Sequence, residues 1–406
     1  MLDESTIKIV KSTAPLLQEH SKEIGKRFYE LLFSRVPELY NMFNQTNQKR
    51  GFQQEALAYG VYLAGANIDN LKAVETMVER VTEKHRALGV QAEQYPIVGE
   101  NLIEAVKDVL GDAATDEVIE AWEKAYQAIA DFFIDIENKL YKQTELQPGG
   151  WVGNRSFYVA QKVKESDVIT SFYLKPEDGK RIPVYNPGQY LTIQADIKGE
   201  KYFHMRHYSL SDAPNHEYYR ISVKREDALN GAPAGIVSNY LHHEVAVGDV
   251  LPIRAPAGDF TFKTEGQPIV LLSGGVGITP MMSMFNTLVE THSDREITFI
   301  HAAANSKVHA MREHVEELVK EHKNITSFVC YSAPTEQDRS EKRYDKEGFI
   351  NLNWLKTVLS DNRKDFYFCG PLPFLKAING ALKEWGVPKE KRTYELFSPI
   401  STIEEA

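Results

Sequence analysis

Cysteine is nearly absent. Cys330 and Cys369 are the only two in 406 residues, too few for a disulfide framework or a cysteine-rich metal site. The expected setting is therefore reducing and cytoplasmic. Basic charge is also short: 47 Lys and Arg against 57 Asp and Glu leave a net charge of -10. Phosphate binding needs a basic face, so nucleic acid is disfavoured as a partner. The acidic residues are dispersed, which suits solubility better than binding. No apolar run approaches the ~18 residues of a membrane-spanning helix. The start, MLDESTIKIVKSTAP, lacks the apolar core of a secretory signal. Internal repeats and low-complexity segments are missing too.

What is present is an ordinary globular mixture, 42% hydrophobic and 26% charged, which argues against disorder. The length predicts two to four domains at roughly 100–200 residues each. Two grammars divide the chain. Up to residue 140, apolar residues recur at intervals of three and four, as in helices. One stripe is Gly25, Tyr29, Leu32, Val36; another is Leu71, Val74, Val78, Val81, His85, Leu88; a third is Ala125, Ile129, Phe133, Ile136, Leu140. Pro37, Pro96 and Gly111 punctuate them as helix boundaries do. A turn-rich linker follows at Gln147-Pro148-Gly149-Gly150. Beyond it, SFYVAQKV, VITSFYL, QYLTIQA and YRISVKR are short strands separated by Gly and Pro, which suits a small antiparallel barrel. From about 267, strands PIVLLS, EITFIHAA and DFYFCG alternate with helix-like MMSMFNTLVETH, MREHVEELVKEH and PFLKAINGALKEW. That alternation predicts a parallel sheet flanked by helices.

Three features of the helical part point to chemistry. His85 sits on an apolar stripe, where a histidine is ordinarily a hydrogen-bonded core residue. Tyr29 and Gln53 place polar groups on helices that otherwise bury apolar faces, which is costly without partners. Phe43 follows Pro37 after a short turn, an arrangement that brings an aromatic ring onto a flat cofactor. The stretches FYELLFSRVPELYNMFNQTNQKRGFQQEAL, VTEKHRALGVQAEQYPIVGENL and AWEKAYQAIADFF resemble the globin domain of bacterial and yeast flavohaemoglobins over its whole length. The resemblance implies haem b with His85 as the proximal iron ligand. It implies Tyr29, Gln53 and Leu57 as distal groups and Phe43 packed on the porphyrin. Tyr95 and Glu137 become a hydrogen-bonded set behind His85, although a carboxylate at such a helix position is more often solvated. An anionic partner makes an imidazole ligand more electron-donating, which favours oxygen activation over storage. Tyr29 then donates to bound oxygen. Lys84, ordinarily a surface lysine, falls near the haem–flavin junction by the same resemblance.

The second part carries motifs in a fixed order. Arg206-His207-Tyr208-Ser209 follows a strand and is similar to the Arg-x-Tyr-Ser/Thr signature of ferredoxin–NADP reductases. A guanidinium there binds the FAD pyrophosphate, Tyr208 stacks on the isoalloxazine and Ser209 bonds its N5. Pro187-Gly188-Gln189-Tyr190 lies upstream; Gly235-Ile236-Val237-Ser238-Asn239 lies downstream and starts a helix suited to a diphosphate. Tyr190, Arg206, His207, Tyr208, Ser209, Val237, Ser238 and, by resemblance, Phe397 are thus the expected FAD contacts; the tyrosines otherwise cap a barrel core. Gly274-Gly275-Val276-Gly277-Ile278-Thr279-Pro280 has the strand–loop–helix context of a dinucleotide loop. Gly275, Val276, Gly277, Ile278, Thr279 and Pro280, with Cys369-Gly370-Pro371 after a later strand, are the expected NAD(P)H contacts. Cys369 is read as packing near the nicotinamide, since Cys330 is distant in sequence. Glu395 is placed by resemblance near flavin and haem.

The expected fold is therefore multidomain: an all-α globin fold at 1–140, a linker at 141–151, an antiparallel β-barrel FAD domain at 152–263, and an α/β NAD(P)H domain at 264–406, the last two ferredoxin–NADP reductase-like. The resemblance implies a nitric oxide dioxygenase: NAD(P)H reduces FAD, FAD reduces haem, and nitric oxide plus O2 become nitrate, without a separate reductase. An oxygen carrier or sensor is one rival, disfavoured because a carrier needs no electron on every cycle. A haem or flavin reductase acting on peroxides, quinones or ferric iron is the other.

Overall fold

A computed structural model describes residues 2–43, 52–229, 231–262 and 266–397, without the side chains of 52–56 and 58. It divides into two compact units, Met1–Gly153 with Gln194–Arg206, and Asn154–Ile193 with His207–Phe397.

The first unit is helical: α1 (Glu4–Glu19), α2 (Ser21–Arg35), α3 (Phe52–Ala66), α4 (Glu75–Leu88), α5 (Tyr95–Leu110) and α6 (Asp116–Leu146). Local chemistry fixes their ends. Asp3 accepts from the Thr6 amide at 2.8 Å to start α1. Gly89, at φ 77°, ends α4 in the left-handed conformation that suits glycine. Pro37 opens the 3-10 turn Pro37–Asn41 after α2. No Gly or Pro interrupts the chain between Gly111 and Pro148, and α6 runs through 141–146 of the segment read as linker. The apolar stripes meet in a core that includes Val10, Phe28, Leu32, Leu102, Ala105, Ile119 and Trp122. Burying a side chain such as Phe28 or Leu32 is worth roughly 1.5–3 kcal/mol. Two glycines set the helix approaches. A Cβ at Gly65 would meet the Trp122 ring at 2.4 Å, and one at Gly99 would meet the Tyr126 ring at 2.4 Å.

An antiparallel sheet follows, with β1 (Asn154–Lys164), β2 (Ile169–Pro176), β3 (Tyr190–Ala195), β4 (His204–Ser209) and β5 (Tyr219–Lys224), of which residues 194–206 fall with the first unit. Helix α7 (Ile236–His243) and β6 (Val250–Ala257) follow. The sheet order is β4-β3-β6-β1-β2-β5. Its two edges meet where Leu210, just past β4, bridges Ile221 of β5, so the antiparallel sheet closes as a barrel. Phe157, Phe172, Leu191, Tyr219, Ile221 and Ile253 fill it, none more than 1% exposed.

Alternating elements then follow: β7 (Ile269–Gly274), α8 (Ile278–Glu290), β8 (Ile297–Ala303), α9 (Arg312–Glu321), β9 (Ile325–Tyr331), α10 (Glu336–Ser340), β10 (Lys346–Glu347), α11 (Leu352–Val358), β11 (Asp365–Cys369), α12 (Leu372–Glu384) and β12 (Arg392–Glu395). The strands pair in parallel in the order β10-β9-β8-β7-β11-β12. Every residue of β7 is buried, as expected for a parallel strand covered on both faces. The strand order reverses between β7 and β11. Ligands of such sheets bind at that switch point, outside the strands' carboxyl ends. Among the described residues no helix is long and apolar enough to cross a membrane.

This sheet buries two histidines. His301 of β8 bonds Ser273 Oγ through Nδ1 at 2.7 Å, and its ring lies 4.4 Å from that of His309. Burial pushes the His301 pKa down from 6.5 to about 3 and His309 well below its ordinary value. The unfolded chain takes up these protons as pH falls past the ordinary histidine value, and the folded chain does not. Stability present at neutral pH is therefore lost on acidification. The melting temperature should fall between about pH 7 and about pH 5, and His301→Gln should shrink that difference. An undiminished difference in the variant would refute the assignment.

Candidate functional site

The helical unit brings three predicted residues into one hydrogen-bonded set. His85 lies in the last turn of α4, Tyr95 opens α5 and Glu137 sits on α6. His85 Nδ1 lies 2.7 Å from Glu137 Oε1, and the Tyr95 hydroxyl donates to the same oxygen at 2.6 Å. Tyr95 OH and His85 Nδ1 are 3.3 Å apart. Glu137 is 3% exposed, whereas the His85 side chain is 30% exposed. An ionised carboxylate only accepts, so the imidazole carries its proton on Nδ1 and keeps the Nε2 lone pair for a metal. Burial, then the Glu137 charge, holds the Tyr95 phenol protonated far above its usual range. That donor set fits a haem iron, which needs one protein nitrogen.

Two further tyrosines hold this set. Tyr126 OH donates to the Tyr95 carbonyl at 2.7 Å, and Tyr141 OH to the Val90 carbonyl at 2.7 Å. The Val90 amide in turn donates to the His85 carbonyl at 2.9 Å. Sequence reasoning missed both. Their backbone acceptors lie 31 and 51 residues away, so no local pattern marks them.

The other globin-type residues gather separately. Tyr29, 5% exposed, Phe43 and Leu57 share one apolar cluster. Tyr29 stacks on Phe33 with centroids 5.6 Å apart and meets Phe43 edge-on at 5.5 Å. The Gln53 side chain lies outside the described residues; its backbone is in α3. Lys84 is half-buried beside His85.

In the barrel, Arg206–Ser209 lie inside β4 and do not follow a strand. The strand starts at His204 because the segment pairs with β3. Alternation then sends Arg206 and Tyr208 to one face and His207 and Ser209 to the other. Arg206 Nη1 donates to the Met205 carbonyl at 2.7 Å. His207 Nδ1 bonds Thr192 Oγ1 at 2.8 Å, and its ring lies 4.6 Å from that of Tyr190. Val237 and Ser238 occupy the first turn of α7. Ser238 Oγ donates to the Gly235 carbonyl and accepts from the Glu226 amide. The Ser238 side chain thus shapes the loop, and a diphosphate would meet the turn's backbone amides. A Cβ at Gly235 would meet that Oγ at 2.7 Å. At the other end of α7, Lys162 donates to the carbonyls of Leu241, His242 and Val245, a cation at a helix C-terminus. The sequence reading passed over Lys162.

At the switch point the two glycine loops touch. A Cβ at Gly277 would stand 2.1 Å from the Cys369 carbonyl oxygen, and one at Gly370 would stand 3.2 Å from Gly274 Cα. Gly275, at φ +54°, has open space where a Cβ would be. Gly275 and Val276 keep some exposure while Ile278, Thr279 and Pro280 are buried, and Thr279 Oγ1 donates to the Val276 carbonyl. A pyrophosphate approaching this loop would meet backbone, followed by the α8 N-terminus. Pro371 caps α12 on the other side. Glu395, half-buried, pairs in register with Cys369, and Phe397 is 51% exposed.

The sequence matches the model of the Globin family over residues 26–133, of the oxidoreductase FAD-binding domain over 156–262 and of the oxidoreductase NAD-binding domain over 271–380. It is 55% identical to a flavohemoprotein from Bacillus thuringiensis subsp. konkukian over 405 residues, covering 100% of both chains. The chain belongs to the flavohemoprotein family. A crystal structure of a flavohemoglobin from Malassezia yamatoensis with bound FAD and heme superposes with a TM-score of 0.83 at 26% identity, covering 98% of this chain and 100% of that one. The FAD/NAD-binding domain of a nitric oxide dioxygenase from Vibrio cholerae superposes with a TM-score of 0.55 at 35% identity, covering 60% of this chain and 98% of that one. A flavohemoprotein is an oxidoreductase that carries its globin and its reductase domains in one chain.

Both cysteines of this flavohemoprotein are buried thiols. Burial, then the Glu395 charge, raises Cys369 well above its usual range, and burial raises Cys330 to about 12. A thiol held protonated is a poor nucleophile. Iodoacetamide at about pH 8 should therefore modify neither in the folded chain and both after denaturation, read by mass spectrometry. Alkylation of folded Cys369 would contradict this.

Proposed function

We propose that this flavohemoprotein is a nitric oxide dioxygenase that consumes NAD(P)H, O2 and nitric oxide. The observation that carries the reading is the buried Glu137 carboxylate bonded to both His85 and Tyr95, in a chain that also holds a flavin reductase. A storage globin has no use for either feature. A strongly donating proximal ligand favours activating bound oxygen, and a fused reductase favours resetting the iron on every turnover. The Vibrio cholerae relative's description as a nitric oxide dioxygenase points the same way.

The cofactors would supply the redox chemistry: hydride donation by the nicotinamide, single-electron release by flavin, and oxygen binding at haem. The chain's own part is placement and electrostatics. His85 Nε2 would hold the haem iron while Glu137 accepts from Nδ1. Tyr29 would offer a phenol hydrogen bond in the haem pocket, and Phe43 and Leu57, in the same apolar cluster, would exclude water there. Arg206, Tyr208, Ser209, Tyr190 and the first turn of α7 hold FAD, and Phe397 covers the ring. The Gly275–Gly277 backbone and the Cys369–Pro371 loop hold the coenzyme.

Electron counting sets the test. Converting nitric oxide and O2 to nitrate takes one electron, so each hydride supports two nitrates. The holoprotein should give two nitrates per NADH or NADPH oxidised. His85→Ala should lose haem and nitrate formation while its flavin is still bleached by coenzyme. Oxygen binding without nitrate formation, or nitrate formation that survives His85→Ala, would sink the reading.

A further inference from the structure

The second unit contains a buried polar joint that neither the resemblance nor the cofactor sites account for. It is centred on Asp212, 8% exposed, which lies just past the end of β4. Its carboxylate is filled by four donors. Oδ1 accepts from Asn286 Nδ2 at 2.7 Å and from the Ala213 amide at 3.0 Å. Oδ2 accepts from Tyr218 OH at 2.9 Å and faces Arg220 Nη1 at 3.4 Å. Asn286, 6% exposed, belongs to α8, the helix that follows the Gly275–Gly277 loop. Because a carboxylate accepts only, the Asn286 amide must turn its NH2 toward Asp212. Its Oδ1 then accepts from His314 Nε2 of α9 at 2.8 Å. One carboxylate thus ties the exit of the proposed flavin strand to two helices of the proposed coenzyme domain.

A second close approach lies on the same helix. Gly188, at φ +103°, leaves no room for a side chain: a Cβ there would stand 1.9 Å from the Phe260 carbonyl oxygen and 2.9 Å from Met284 Cε. Met284 and Asn286 both belong to α8. The helix is therefore held against the barrel at the loop before Tyr190 and at the turn after Ser209. These are the two places where the barrel's flavin residues leave their strands.

We infer that Asp212 and Asn286 are positioning residues for hydride transfer, fixing the separation between the flavin-bearing strand β4 and the coenzyme-bearing helix α8. This rests on the reading that β4 contacts FAD and the α8 loop contacts NAD(P)H. Neither side chain touches the reacting atoms. Hydride transfer needs donor and acceptor carbons within contact distance, and a misplacement of about 1 Å can cost on the order of a hundredfold in rate. Loss of one hydrogen bond in a joint with other ties should shift the geometry by less than that.

The test is anaerobic stopped-flow bleaching of flavin in the full holoprotein, with NADH and with NADH deuterated at the transferred position. Asn286→Ala should lower the limiting rate by about tenfold and enlarge the isotope effect. The coenzyme concentration for half-maximal rate and the FAD content should stay near wild type. Asp212→Asn should behave likewise. The exchanged pair D212N/N286D returns an amide facing a carboxylate and should recover most of the lost rate. An Asn286→Ala protein that keeps FAD and matches the wild-type rate and isotope effect would overturn the inference. Parallel loss of FAD in the single variants and the exchanged pair would overturn it too, by making the joint a matter of stability alone. A wild type whose flavin is not bleached by coenzyme would instead overturn the functional reading beneath it.

Discussion

Glu137 is a carboxylate on α6 removed from water, only 3% exposed. Taking such a charge out of water costs several kcal/mol unless hydrogen bonds replace its hydration. Here a phenol and an imidazole do so through one oxygen. Much of the helical unit follows from meeting that requirement. Helix α6 must carry Glu137 to the end of α4, and Tyr95 must sit at the start of α5. Tyr126 fixes the Tyr95 backbone from α6, while Gly99 leaves room for the Tyr126 ring. The outcome is a histidine whose proton is committed to one side, leaving the other nitrogen electron-rich and available.

The second unit solves a different problem, the close approach of one backbone loop to another. A side chain at Gly277 would intrude on the Cys369 carbonyl, and Gly275 holds the positive φ of +54° that favours glycine. The parallel sheet brings both loops to one point because its strand order reverses between β7 and β11. Buried side chains of α8 brace that point from below. Both units therefore offer an approaching group something that is already fixed: a lone pair in one, a row of amides in the other.

Much of this was legible in the sequence, and the exceptions have physical reasons. Apolar periodicity marked the helices, and Gly–Pro punctuation marked the strands, because those patterns are local. The strand–loop–helix at Gly274–Pro280 was legible because strand, glycines and helix are contiguous. Glu137 was legible only through resemblance, since a glutamate on a helix ordinarily faces water and its partners lie 42 and 52 residues away. Asp212 and Asn286, 74 residues apart, carry no local signal at all. Lys162 reads as a solvated strand lysine until the end of α7 is seen against it. Arg206–Ser209 read as following a strand, although pairing with β3 makes them part of one. The end of the helical unit was also misplaced by pattern: KLYKQTEL lacks a breaker, so α6 continues to Leu146.

On the proposed reading, the Glu137 carboxylate, acting through the His85 Nδ1 proton, would set the character of the iron ligand. Resonance Raman spectroscopy of the ferrous holoprotein reads this directly as the iron–histidine stretching frequency. Glu137→Gln keeps the shape and removes the charge. The stretch should move to lower frequency in that variant, because a weaker acceptor leaves the imidazole less electron-donating. A frequency identical to wild type in a variant that still binds haem would contradict the account.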